Sequence, residues 1–252
     1  MKPYSVILAK QSLEYAYIDA FAGSGLHLTK NEKKIVPGSP LEALMIEPPF
    51  DKYYFIEMDK RKAEMLKHHI NWRENVQIFS GDCNEILLHE VFPQVRYEQY
   101  RRAICFLDPF NIGINWEVIE KAGEMRSIEI ILNFDIMDIN RNLKIEPKSK
   151  IRESDLERIN RFWGDQTWRE YLYQTELGLF GEIIDRKPGN ISIIQAFRER
   201  LKKKARFKFV PEPVPMCNTK GAVIYYLFFA TQNEKGNKIM SDIFKAYRSK
   251  IG

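Results

Sequence analysis

Short apolar runs recur through the first half of the chain, and each is followed by the signals of a helix. The runs are Tyr15–Ala20, Tyr53–Ile56, Val76–Phe79, Ala103–Leu107 and Ile128–Asn133. Each is too short for a core helix and suits a buried strand. Ser39-Pro40 opens the first helix, with Ser39 as N-cap and Pro40 at the first helical position. Its apolar residues Leu41, Leu44, Met45 and Ile46 are mostly one turn apart. Further helices are expected over Lys60–Ile70, through Ile86, Leu87 and Val91, and over Trp116–Ala122. Strands separated by helices cannot pair as hairpins. They predict a parallel sheet with helices on both faces.

The alternation stops at Asp135. From there to about Glu182 no strand is expected, and residues 135–182 read as a helical insertion on the ligand edge of the sheet. Ser154-x-x-Glu157 reads as a capping box, and Asp165 as the cap of a helix over Trp168–Tyr173. The aromatics Phe162, Trp163, Trp168, Tyr171 and Tyr173 have two open roles: a satellite core of the insertion, or stacking groups of a substrate cap. Asn190 then caps a helix with Ile191, Ile194, Phe197 and Leu201 on one face. Phe207–Val210 and Ala222–Ala230 read as strands, with a turn-rich link over Pro211–Gly221. They form an antiparallel hairpin, and a helix over Lys238–Tyr247 follows. Residues 1–252 thus read as one domain carrying one insertion.

Composition narrows the function classes. The 252 residues are 44% hydrophobic and 29% charged, enough for one sizeable core. The net charge of +5 suits a polyanionic partner without requiring one. Cys83, Cys105 and Cys217 are far apart and read as reduced thiols, with no CxxC spacing for zinc. His27, His68, His69 and His89 have no ligand spacing, so no metal is expected. Met1–Lys10 lacks a signal-peptide core, and Ala222–Ala230 is too short to span a bilayer. The expectation is a cytoplasmic protein with no membrane partner.

The ends of the strands carry the chemistry. The first run leads into Asp19-Ala20-Phe21-Ala22-Gly23-Ser24-Gly25, where glycines let the backbone turn and approach a ligand. Glu57 ends the second run, placed to accept hydrogen bonds from a ribose diol. Gly81-Asp82-Cys83 follows the third. Asp82 suits either an exocyclic amine of adenine, with the Cys83 N–H facing a ring nitrogen, or a plain N-cap. Asp108-Pro109-Phe110 follows the fourth. Two acceptors and an aromatic face there can grip a planar amine, and a simple strand-to-turn transition gives the same tripeptide.

Taken in order, Asp19-x-Phe21-x-Gly23-x-Gly25, Glu57, Gly81-Asp82 and Asp108-Pro109-Phe110 resemble a class I S-adenosylmethionine-dependent methyltransferase. More narrowly, Tyr17-Ile18-Asp19-Ala20-Phe21-Ala22-Gly23, Phe106-Leu107-Asp108-Pro109-Phe110 and Trp116 resemble the three-Cys-motif partner family. The resemblance implies a Rossmann-like α/β fold with a mostly parallel seven-stranded sheet and a C-terminal antiparallel hairpin. It implies S-adenosylmethionine as cofactor and a three-Cys-motif protein as partner. By the same resemblance Gly23, Ser24 and Gly25 would approach the methionine part of the cofactor, and Asp19 its amino group. Glu57 would hold the ribose and Asp82 the adenine. Asp108 and Phe110 would face the methyl acceptor.

Asp108-Pro109-Phe110 is one proline short of the Asp-Pro-Pro-aromatic tetrapeptide of amino-methyltransferases acting on bases, and Asn111 follows it. The loop Leu26–Gly38, with Lys30, Lys33 and Lys34, reads as a lid. Arg198, Lys202, Lys203, Lys204 and Arg206 form a basic cluster. It suits nucleic-acid phosphates, and equally a solvated helix end. Leu28 stands where a nicotinamide-binding fingerprint needs its third glycine, which speaks against an oxidoreductase. Two function classes remain: N-methylation of a base or other planar amine, and a non-catalytic methyltransferase-fold scaffold.

Overall fold

The computed structural model describes residues 13–28, 34–70, 73–143, 150–177, 183–186 and 189–251. Met1–Lys10 and the lid lysines Lys30 and Lys33 lie outside the described residues. The strands of the main sheet are β1 (Glu14–Asp19), β4 (Lys52–Glu57), β5 (Val76–Ser80), β6 (Arg101–Leu107), β7 (Ile128–Phe134), β10 (Val214–Cys217) and β11 (Val223–Ala230). Their spatial order is β10-β11-β7-β6-β1-β4-β5. From β7 to β5 every pairing is parallel, while β11 pairs antiparallel with β7 and β10 antiparallel with β11. This is the mostly parallel seven-stranded sheet with a terminal antiparallel hairpin that the sequence implied. From β1 the chain winds outward through β4 and β5, then returns to β1's other flank through β6 and β7. That reversal opens the crevice in which such sheets hold ligands.

Both faces of the sheet are covered, so its strands are apolar almost throughout. On one face Tyr17, Phe55, Ile104, Ile131 and Phe229 pack under α1 (Ser39–Leu44), α2 (Lys60–Ile70) and α9 (Glu234–Ile251). On the other, Ile18, Leu107, Leu132 and Phe134 pack under α3 (Cys83–Ile86), α4 (Trp116–Met125), α6 (Glu153–Trp163) and α8 (Asn190–Lys203). The insertion's aromatics join this second core. Phe162 stacks on Phe197 at 5.2 Å, and Trp163 and Trp168 are buried. Tyr171 and Tyr173 pack against the same cluster, and the Tyr173 hydroxyl donates to the Leu143 carbonyl at 2.7 Å. These rings are core rather than a stacking platform.

Several local expectations change. The edge strand is Val214–Cys217, inside the expected link, and Phe207–Val210 makes only an isolated antiparallel bridge from Phe209 to Thr231. Phe207 and Val210 are apolar because they plug the core. Pro215 is tolerated because β10 is an edge strand. Within 135–182 the chain forms a strand, β8 (Gln174–Leu177), that pairs antiparallel with β9 (Ile183–Arg186). The remaining described strands, β2 (Leu26–Leu28) and β3 (Ile35–Pro37), make a small ladder at the roots of the expected lid.

Helix starts also shift. Gly38 rather than Ser39 is the N-cap of α1, and Gly189 rather than Asn190 that of α8. α6 starts at Glu153, so Ser154 forms no capping box. Buried Asp155 there takes charged bonds from Arg152 and Arg158 instead. Asp165 accepts from the Thr167 N–H rather than capping α7 (Arg169–Leu172). No helix among the described residues is long and apolar enough to cross a membrane.

Candidate functional site

β1 hands its chain to a loop that stays tied to both neighbouring strands. The Ala20 N–H donates to the Phe106 carbonyl at 3.1 Å and the Ala22 N–H to the Ile56 carbonyl at 2.9 Å. Gly23 follows with φ of +64°, and a Cβ there would meet nothing within 4 Å. This bare backbone borders a cleft of about 570 Å³ at the C-terminal edge of β1, β4, β5 and β6. The volume lies within the range of small-ligand sites.

The cleft gathers most of the residues singled out from the sequence. Phe21, Gly23, Glu57, Asp82, Cys83, Asp108, Pro109 and Phe110 all line it. Ser24, Gly25 and Asp19 do not. The Ser24 hydroxyl donates to the Leu26 carbonyl at 2.8 Å, and its own carbonyl receives His69 Nδ1 at 2.8 Å. Gly25 has φ of +83°, and a Cβ on it would lie 2.8 Å from Leu66 Cδ1. Its carbonyl accepts from the Gly38 N–H at 2.7 Å. Ser24 and Gly25 therefore shape the loop and seat it on α2, and Gly23 is the glycine open to a ligand.

Asp19 lies directly behind the loop. It is fully buried, and its Oδ1 accepts from the Phe21 N–H at 3.1 Å. Its Oδ2 is buried without a hydrogen bond. Burial pushes the carboxyl up to about 6, against the opposing pull of the nearby Ser39 hydroxyl and the Phe21 N–H, while the charges of Asp108 and Glu57 add to the rise. The Ser39 hydroxyl favours the charged form without closing a well-formed bond. A buried carboxylate oxygen left unmatched costs free energy until a donor or a cation reaches it.

Glu57 and Asp82 are partly engaged already. Glu57 Oε2 accepts from the Gly23 N–H and Oε1 from the Asp59 N–H, each at 2.8 Å. Each oxygen keeps a second lone pair for a ribose hydroxyl. Asp82 N-caps α3, its Oδ1 accepting from the backbone N–H and the side-chain amide of Asn84. The cap reading of Asp82 is thus realised, with Oδ2 left over at the cleft. Cys83 beside it is buried, and burial pushes its thiol up to about 12, so it stays protonated.

Beyond β6 the three residues diverge. Pro109 is buried, whereas Phe110 is 88% exposed with its ring at the cleft mouth. Asp108 Oδ1 accepts from Asn133 Nδ2 at 2.5 Å. Asn133 is the next-to-last residue of β7, and its Oδ1 is buried without a partner. Sequence reading missed Asn133, and it missed Asn84, which ties α3 to the loop after β6 through Gly113 and Asn115. Met58 and Lys62 also line the cleft. Only Met58 carried a signal, an apolar residue left exposed just after Glu57.

The basic cluster stands apart. Arg198, Lys202, Lys203, Lys204 and Arg206 do not line the cleft. Arg198 pairs with Glu212 at 2.7 Å and bonds the Val210 carbonyl. Lys202 and Lys203 both pair with Glu199. Arg206 precedes the Phe209–Thr231 bridge, which lies past the end of antiparallel β11 and so at the opposite edge of the sheet. Among the described residues, no group of three or more His, Cys, Asp or Glu side chains is placed to hold a metal.

No protein-family model matches the chain, and no curated protein matches it. Solved structures with a similar arrangement include a Listeria monocytogenes protein assigned provisionally as an S-adenosylmethionine-dependent methyltransferase. It is 13% identical, with 92% of this chain and 97% of that chain covered and a TM-score of 0.47. The methyltransferase domain of a bacterial CtHen1 is 9% identical, with 91% and 95% covered and a TM-score of 0.44. An S-adenosylmethionine-dependent methyltransferase of Methanosarcina mazei is 8% identical, with 91% and 98% covered and a TM-score of 0.40.

Proposed function

We propose that the cleft binds S-adenosylmethionine and that the protein transfers its methyl group to an amino group on a nucleic-acid base or other planar amine. The observation that carries this reading is the convergence of Gly23, Glu57, Asp82 and Asp108, from the ends of four neighbouring strands, on one cleft. The residues fit the cofactor. Gly23 offers open backbone, Glu57 and Asp82 keep free lone pairs, and Asp19 Oδ2 is a buried acceptor without a donor. Gly23 and Asp19 would serve the methionine part, Glu57 the ribose, and Asp82 with the Cys83 N–H the adenine.

When bound, the cofactor supplies an electrophilic methyl carbon on a sulfonium. The chain's part is positional. Asp108, held by Asn133, accepts an N–H of the acceptor amine and so aims its lone pair. The same carboxylate stabilises the positive charge that grows on nitrogen and takes the proton it sheds. Phe110 offers a ring face to a planar acceptor. The narrower likeness to the three-Cys-motif partner family, with a protein partner of that kind, belongs to this reading and rests on the quoted residues alone.

One observation favours the scaffold reading as second. Glu57 and Asp82 both have internal jobs, bracing the glycine loop and capping α3, which a non-catalytic protein would also keep. Asp19 and Asp108 separate the two readings, because the internal bonds of neither account for its carboxylate. Titration of the protein with S-adenosylhomocysteine, before and after Asp19→Ala, tests the proposal. Binding that the substitution removes supports it, and no binding by folded wild type favours the scaffold.

A further inference from the structure

Strand residues two apart share a face and lie about 7 Å apart along the strand. On the face of the sheet under α1 and α9, Tyr17, Phe106 and Ile131 therefore lie one such step before Asp19, Asp108 and Asn133. Leu227 sits opposite Asn133 across the antiparallel pair, with Tyr225 one step nearer the ligand edge. The polar four thus form a rim above an apolar floor. The side-chain bond between Asp108 and Asn133 spans the rim. Burial first, and then the charge of Asp108, raise the Tyr225 phenol.

The floor is open as a groove of about 670 Å³ between α1 and α9, walled by Ala43, Met45 and Ile46 on one side and Met240, Ile243 and Phe244 on the other. Among the described residues, Glu42 is its only charged lining residue. Asp108 lines the cofactor cleft and follows the groove-lining Phe106 by two residues, so cleft and groove are neighbours at this strand end. Two acceptors wait at the junction, Asp19 Oδ2 and Asn133 Oδ1, both buried without partners.

We propose that the groove is the acceptor subsite, and that the acceptor is a small amphiphilic amine with an apolar body and no phosphate. This rests on the methyl-transfer reading and replaces its planar acceptor with an amphiphilic one. The apolar body lies along Tyr17, Phe106, Ile131 and Leu227, and the amine rises to Asp108. An apolar floor keeps the amine neutral and its lone pair free, because burial disfavours the charged form. The acceptor nitrogen gains its bond to the methyl carbon as the carbon–sulfur bond breaks and that electron pair stays on sulfur. The proton shed by nitrogen goes to the Asp108 carboxylate and from there to water. A polynucleotide acceptor would press phosphates against Glu42 and Asp108, with no cation among the described lining residues. The basic cluster at the far edge of the sheet does not serve it.

The test is calorimetry on the full chain with three probes, 2-phenylethylamine, ethylamine and 3-phenylpropionate, each with and without S-adenosylhomocysteine. The expected result is at least about tenfold tighter binding of 2-phenylethylamine than of the headgroup alone or the carboxylate. Leu227→Trp, which fills the floor, and Met45→Arg, at an exposed wall position, should each abolish that preference and leave S-adenosylhomocysteine binding unchanged. The second variant covers a folding failure of the first. Absence of the preference while S-adenosylhomocysteine binds, or a preference that survives both variants, overturns the groove as acceptor subsite. Failure of S-adenosylhomocysteine to bind overturns the methyl-transfer reading instead.

Discussion

Glu57 Oε2 accepts the backbone N–H of Gly23 at 2.8 Å, so the carboxylate assigned to the ribose also braces the loop assigned to the methionine part. Glu57→Gln replaces one of two anionic acceptors with an amide NH₂ that cannot accept. The expected loss is about 1–3 kcal/mol of stability in urea unfolding, together with at least tenfold weaker S-adenosylhomocysteine binding. Weaker binding with unchanged stability would contradict the bracing role.

Asp19→Asn should move stability and binding in opposite directions. Burial raises the Asp19 carboxyl from 3.8 to about 6. A raised acid favours the fold while protonated, so its contribution is whole below 3.8 and is lost as pH rises through 6. At neutral pH the ligand-free fold therefore carries a buried, ionised carboxylate at a cost on the order of 3 kcal/mol. Denaturant unfolding should show Asp19→Asn more stable than wild type at neutral pH by about 1–3 kcal/mol, the two converging in acid. Binding of S-adenosylhomocysteine should be lost. A variant less stable than wild type at neutral pH would contradict the unmatched Oδ2.

Glu129 supplies the matching control. It is buried at the far edge of the sheet, bonded by the Tyr15 hydroxyl at 3.0 Å and the Thr231 hydroxyl at 2.5 Å. Burial pushes it up to about 7, so its stabilising contribution is whole below 4.5 and is lost as pH rises through 7. Glu129→Gln should flatten the pH dependence of stability over that window without changing S-adenosylhomocysteine affinity. An affinity change would link the two edges of the sheet in a way that this account does not contain.

The two glycines of the turn should fail differently. A Cβ on Gly25 meets Leu66, so Gly25→Ala should lower stability by about 1–3 kcal/mol. A Cβ on Gly23 meets nothing in the protein, so Gly23→Ala should cost only its backbone strain, about 1–2 kcal/mol, yet weaken ligand binding strongly. Parallel thermal unfolding and binding measurements on both variants check this.

What the sequence disclosed and what it hid divide along one physical line. Strand ends are legible because a run of β-branched and aromatic residues that breaks at Asp19, Glu57, Asp82 or Asp108 marks its own boundary. Interactions that close over long separations are not. Arg198 reads as a free cation until the fold brings Glu212 to it, and Asn133 reads as the tail of a strand until it meets Asp108. The edge strand at Val214–Cys217 was masked by prolines that only an edge can hold. Phe207 imitated a strand because a core plug has the same composition. Ser39 at a helix start was legible, but its place beside the buried Asp19 was not.

The most direct measurement of the central claim is calorimetric titration of the folded protein with S-adenosylmethionine and S-adenosylhomocysteine, with NAD as control. The account predicts single-site micromolar binding of the first two and none of the third, lost in Asp19→Ala and Gly23→Ala. Absence of binding by folded protein, or binding indifferent to both substitutions, would contradict it.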